Sequence, residues 1–140
     1  MTNKRDELPA AINPLGDSGL DPQYVGFFAC FNQQKFFEAH EVLEPLWLAQ
    51  RREPDGEFYK GLIQLAGAFV HLQKGRRQPA GALLRLAQTN LEAYPALHHE
   101  LELGGVLRLI RDWLRRLEAN EPWNEQLLKR LAPTLHLRQD

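Results

Sequence analysis

One segment carries most of the side chains able to do chemistry: Phe36-Phe37-Glu38-Ala39-His40-Glu41-Val42-Leu43-Glu44-Pro45-Leu46-Trp47. On a helix, an imidazole and a carboxylate at i and i+4 stand one above the other. At about 100° per residue, with His40 at zero, Phe36, Leu43 and Trp47 fall to one side and Glu44, Phe37 and Leu48 to the other. This wheel sets His40 and Glu44 within an apolar face. An unpaired charge there is costly, so both groups are expected to have partners.

The following segment supplies candidates. Between Phe58 and Leu72 the polar residues besides Tyr59 are Lys60, Gln64 and His71. Gln64 and His71 share a helix face with Gly61, Gly67 and Ala68, small enough to let another helix approach. A helical hairpin about Pro54 sets Glu44 opposite Gln64 and His40 opposite Ala68, one turn from His71. His40, Glu44, Gln64 and His71 are therefore expected in one layer of a helical bundle.

Three chemistries suit such a layer. The preferred one is a buried hydrogen-bond cluster, Glu44 accepting from Gln64 and a ring nitrogen, which fixes the pairing of two helices. The second is a divalent metal held by His40, Glu44 and His71. The third is acid–base catalysis by His40, Glu41 and Glu44 in a pocket bounded by Trp47, Gln64 and His71. His40-Glu41-Val42-Leu43-Glu44 is a zincin-like helix with Glu in place of the second His. No third-ligand motif follows it, and no Glu-x-x-His pair of the di-iron kind occurs. Against all three stands the reading in which Gln64 and His71 join Glu57 and Lys60 on a solvent face.

Elsewhere the signals are weaker. His98-His99-Glu100 reads as a surface pair in a loop. Cys30, among Phe27, Phe28 and Phe31, reads as core. Trp113 and Trp123 read as anchors of the C-terminal helices. From Lys74 to Arg116 there are eight Lys/Arg against four acids, with Arg108, Arg111 and Arg115 on one helix face. Without interleaved aromatics this reads as a solvated face, with nucleic-acid binding the lesser alternative. There is no Gly-rich phosphate loop and no Ser/His/Asp order that suggests a nucleophile.

The elements that must position these groups are helices. Leu supplies 25 of the 140 residues against 10 for Val, Ile and Thr together, a bias toward helix over pleated sheet. Asp21-Pro22 is an N-cap followed by proline at the first helical position, and Asn32-Gln33-Gln34 ends that helix. A second helix is expected over 35–50, with Pro45 bending it. A third is expected over 57–74, closed by Gly75, and a fourth from Pro79 to Tyr94. Residues 95–104 read as loop or a short helical turn. A fifth helix over 105–119, a short one over 124–131 and an extended tail complete the chain. The expectation is an all-α, compact single-domain bundle of five to six mostly antiparallel helices over 21–140, with a flexible arm over 1–20.

Composition narrows the function classes. A net charge of −1 offers no general attraction to nucleic acid or anionic membrane. A lone cysteine makes no internal disulfide, and no apolar run is long enough to span a bilayer. Lys4 and Arg5 precede no apolar stretch of the secretory kind. The chain is expected in the cytoplasm, with a second copy or another protein as partner rather than membrane or nucleic acid.

The run from Phe37 to Trp47, followed by Gly61-Leu62-Ile63-Gln64-Leu65-Ala66, resembles the bacterial and archaeal family called domain of unknown function 309. His71-Leu72-Gln73-Lys74-Gly75 and Gly81-Ala82-Leu83-Leu84 are similar to later parts of its pattern, so the likeness covers roughly Pro22 to Leu117. Where the family often has Asn after the glycine closing the third helix, this chain has Arg76. The resemblance implies an all-α bundle with the His/Glu/Trp/Gln motif at its heart, and no established activity.

Overall fold

The computed structural model describes residues 19–131 and 133–138. The N-terminal arm expected from the sequence falls almost wholly outside the described residues. Among the described residues, six helices and one small hairpin follow in order. Helix α1 spans Pro22–Asn32; the Asp21 carboxylate accepts from the Gln23 N–H at 2.7 Å, as an N-cap should. Helix α2, Phe36–Gln50, continues through Pro45, which lies on its solvent side. Helix α3, Gly56–Gln73, closes at Gly75, whose φ of 71° is open to glycine at little cost. There the Arg76 N–H reaches the His71 carbonyl at 2.9 Å, satisfying one of the last orphan acceptors.

Helix α4, Arg77–Leu91, starts two residues earlier than its proline suggests. Pro79 thus occupies the third helical position, where an N–H has no intrahelical acceptor to lose. Strands β1, Leu97–His98, and β2, Leu101–Glu102, form an antiparallel hairpin where loop or helical turn was expected. Helix α5, Leu103–Glu118, follows directly, and α6, Glu125–Arg130, is capped by Asn124 accepting from the Leu127 N–H at 2.7 Å.

From α1 to α5 each helix packs on the next, and α3 lies at the centre, against α2, α4 and α6. A chain of buried rings ties the elements together. Phe31 meets Phe36 edge-on at 4.9 Å, Phe36 meets Phe69 at 5.2 Å, and Phe69 meets Trp113 at 6.0 Å. Each such ring removes on the order of 150–250 Å² from water. Glycines set the closest seam. A Cβ at Gly61 would stand 2.8 Å from Leu91, and one at Gly67 3.2 Å from Leu83, so α3 and α4 approach backbone to side chain.

The C-terminal segments are pinned by polar groups that finish helix ends. Trp123 Nε1 donates to the Leu72 carbonyl at 2.8 Å, and Arg77 donates to the Leu117 carbonyl at 3.1 Å. The Asn32 amide both donates to and accepts from the Leu135 backbone, each at 2.8 Å, mimicking a strand pair. No helix among the described residues is long and apolar enough to cross a membrane.

Candidate functional site

The α2 motif faces outward. The buried side of α2 is Phe36, Ala39, Leu43 and Leu46, an arc centred about 80° from His40 on the helical wheel. Phe37 and Leu48, counted as core from their type, are 55% and 49% exposed. Those two residues pull the sequence-derived face round toward His40 and Glu44, which is why the wheel misplaced them. His40 Nε2 stands 3.4 Å from Glu44 Oε2, with the two side chains 32% and 48% exposed. The Phe37 ring meets His40 edge-on at 6.1 Å. Glu41 is also on the exposed side, and Trp47 is half-buried against the core. This corrects the expectation that His40 and Glu44 lie in the bundle interior.

Gln64 and His71 go elsewhere. Gln64 Oε1 accepts from Asn90 Nδ2 of α4 at 2.7 Å. The small residues that flank Gln64 do admit a helix, but the helix is α4 rather than α2. The Nδ1 atom of His71 is buried without a hydrogen-bond partner. Burial, with the Arg76 and Lys74 charges adding to it, pushes the His71 pKa below its ordinary value, so the ring stays neutral. Among the described residues no hydrogen bond or ion pair joins the His40–Glu44 pair to Gln64 or His71. The four-residue layer is thus divided among the α2 surface, the α3–α4 seam and the end of α3.

A different set converges where the sequence promised least. His98, on β1, and His99, in the hairpin turn, place Nε2 atoms 2.8 Å and 2.7 Å from the two oxygens of the Asp55 carboxylate. Asp55 sits at the N-terminus of α3 but caps nothing with its side chain; both oxygens are committed to the imidazoles. Its burial tends to raise its pKa, yet the hydrogen bonds from His99 and His98 and their charges hold the carboxyl below its ordinary value. The side chains of His98, His99 and Asp55 are 21%, 35% and 28% exposed, so one side opens to solvent.

Aromatic rings build the walls. Phe58 meets His98 edge-on at 4.7 Å, Tyr94 leans on the same ring at 4.9 Å, and Tyr59 lies parallel to His99 at 6.3 Å. The Tyr94 hydroxyl accepts from the Phe58 N–H at 3.0 Å and donates to the Pro54 carbonyl at 2.7 Å, fixing the backbone on either side of Asp55. The Tyr24 hydroxyl donates to the His99 carbonyl at 2.9 Å. Burial raises the Tyr24 pKa and, helped by the Asp55 charge, pushes the Tyr59 pKa up to about 12. Both hydroxyls therefore stay protonated. His99 and Glu100, the two central turn residues, have φ of 46° and 63°, the left-handed pair a two-residue hairpin demands and usually gives to Asn-Gly. A side chain held there costs roughly 1–2 kcal/mol, offset by the contacts around it.

The remaining expectations fall into place around these two centres. Cys30 is half-buried beside the core, and burial pushes its thiol pKa up, away from nucleophilic use. Arg108, Arg111 and Arg115 are exposed on α5, where Arg115 pairs with Asp112 at 3.2 Å. Beside Arg108 lies a pocket of about 640 Å³ bounded by apolar side chains including Leu97, Leu109 and Leu131. Neither His40 nor His98 lines it.

Comparison with known proteins bears on the α2 region first. Residues 24–84 match the family model described as Domain of unknown function (DUF309). The matched segment runs from α1 into α4, and it holds the α2 motif, Gln64, His71 and Asp55 but neither His98 nor His99. An uncharacterized protein of Aquifex aeolicus (strain VF5) is 26% identical over 92 residues, covering 66% of this chain and 28% of its own. The uncharacterized protein YpuF of Bacillus subtilis (strain 168) is 26% identical over 111 residues, covering 75% of this chain and 62% of its own. This chain therefore spans less than two thirds of either relative. No solved structure matches.

Proposed function

We propose that the protein acts as an interaction module whose docking surface is the outer face of α2. The observation that carries this reading is the exposure of Phe37 and Leu48, 55% and 49%, on the same side of α2 as Glu44. An apolar residue at each end of an acidic stripe contributes little to this fold, whereas helix-in-groove recognition lays the apolar anchors of one helix face into a partner's groove. The surface that complements it in charge and polarity is on the chain itself. Exposed Arg108 of α5 borders the apolar pocket beside Leu109 and Leu131, and exposed Arg111 stands on the same helix. A second copy, its α5 face receiving α2, is the partner that fits. Made reciprocally, this contact closes a two-fold dimer; made head to tail, it closes a ring or grows a chain.

Light scattering on the purified chain tests this. Association should weaken with salt and disappear in Glu44→Arg and in Arg108→Glu, and mixing those two variants should restore it. A chain that stays monomeric at low salt across the accessible concentrations would overturn the proposal.

The second reading is acid–base or metal chemistry at His40, Glu41 and Glu44, supported by the 3.4 Å approach of His40 to Glu44. It predicts that His40→Ala removes a bound ion or a turnover while association is unchanged.

A further inference from the structure

We infer that Asp55, His98 and His99 form a binding site for a single first-row divalent transition-metal ion, independent of the α2 surface. The three residues each offer one ligand atom, and these atoms all lie within 4.8 Å of one another. Two imidazoles and one carboxylate are a donor set suited to zinc, cobalt, nickel or iron rather than to magnesium or calcium, which take oxygen ligands. Metal–nitrogen and metal–oxygen bonds of about 2.0–2.2 Å place neighbouring ligand atoms roughly 3 Å apart. The 2.8 Å and 2.7 Å separations of Asp55 from His98 and His99 are already close to that. An ion on the solvent side of the carboxylate replaces two hydrogen bonds by coordinate bonds, each imidazole moving its proton from Nε2 to Nδ1. The solvent side leaves at least one coordination position open.

The site is held as a metal site needs to be. Metal ligands are normally fixed by outer contacts whose loss weakens affinity by about 10–100-fold. Here the Tyr24 hydroxyl holds the His99 carbonyl and the Tyr94 hydroxyl holds the Pro54 carbonyl, at 2.9 Å and 2.7 Å. Phe58, Tyr59 and Tyr94 fix the ring planes. The left-handed backbone at His99 and Glu100 is a local cost at the one turn that turns both rings toward one carboxylate. The partial positive charge at the α3 N-terminus works against a cation, so the affinity expected is moderate. The competing account is a hydrogen-bond clamp that only fastens the hairpin to α3.

Calorimetric titration of the untagged full chain with Zn²⁺, and with Co²⁺ followed by its visible absorption, separates the two accounts. The metal site predicts one saturable ion per chain, little competition from Mg²⁺, and a melting temperature that rises with Zn²⁺. His98→Ala and Asp55→Asn should each weaken binding at least about tenfold, and His40→Ala should bind as the parent does. Asp55→Asn keeps an oxygen for one histidine, so it retains the hairpin if an alanine variant fails to fold. Absence of saturable binding by the parent chain overturns the inference. So does unchanged affinity in Asp55→Asn, or a loss that follows His40→Ala instead. Because His40→Ala leaves Asp55 intact, failure of this site is distinguishable from failure of the α2 proposal.

Discussion

The outer face of α2 and the corner between α3 and the hairpin are built in opposite ways. His40 and Glu44 meet because they lie four residues apart on one helix, and the pair is half in water. Asp55 meets His98 and His99 across 43 and 44 residues of chain, inside a wall of aromatic rings. A pair made by helical spacing exists wherever the helix forms and asks nothing of the rest of the fold. A triad made by packing exists only if the whole corner is in place, so its geometry is coupled to stability.

That coupling can be broken first at its aromatic wall. Phe58 is fully buried and touches both histidine rings. Phe58→Ala should cost about 3–5 kcal/mol in denaturant titration and abolish whatever the corner binds. If it costs less than about 1 kcal/mol, the corner is not coupled to the core.

The carboxylate comes next. Asp55→Ala leaves two imidazoles without their acceptor and should cost about 1–3 kcal/mol. Acid should act on the same link. The folded pKa of Asp55 lies below its ordinary 3.8, so its contribution is complete above that value and is lost as pH falls through the folded pKa. His71 adds a limb at milder pH. Its folded pKa lies below its ordinary 6.5, so the unfolded chain takes up the proton first and stability declines as pH drops below that value. Chemical denaturation against pH should show both declines, the acid one absent from Asp55→Asn and the milder one absent from His71→Leu.

Relief of the turn is a smaller effect of opposite sign. Glu100→Gly removes a side chain from a left-handed residue at φ 63° and should stabilise by about 0.5–1 kcal/mol after glycine's own entropy cost. The smallest effect belongs to the other region. His40→Ala should change stability by no more than about 0.5 kcal/mol, since an exposed i, i+4 pair contributes little. A loss of several kcal/mol there would restore the buried cluster and collapse the contrast between the regions.

Helix boundaries were legible because their signals are local. Asp21-Pro22, Gly75 and Asn124 act on their own backbone neighbours, and each is found where its type predicts. The hairpin was not legible. Its turn residues are His99 and Glu100 rather than Asn-Gly, and its strands are two residues each. The rotation of α2 was misread because hydrophobicity alone cannot tell a core phenylalanine from an exposed one. The glycines beside Gln64 correctly announced a close helix but carry no label saying which.

By itself the sequence determined the helical class, the order and ends of most helices, and the His40–Glu44 pairing, because capping, propensity and the 3.6-residue period act within a few residues. Only the tertiary structure decided which side of α2 meets the core, that Gln64 answers to Asn90 of α4, and that Asp55 collects two histidines from a distant turn. Those outcomes depend on how rings and small residues of several helices fill one volume, and no short stretch of chain contains that information.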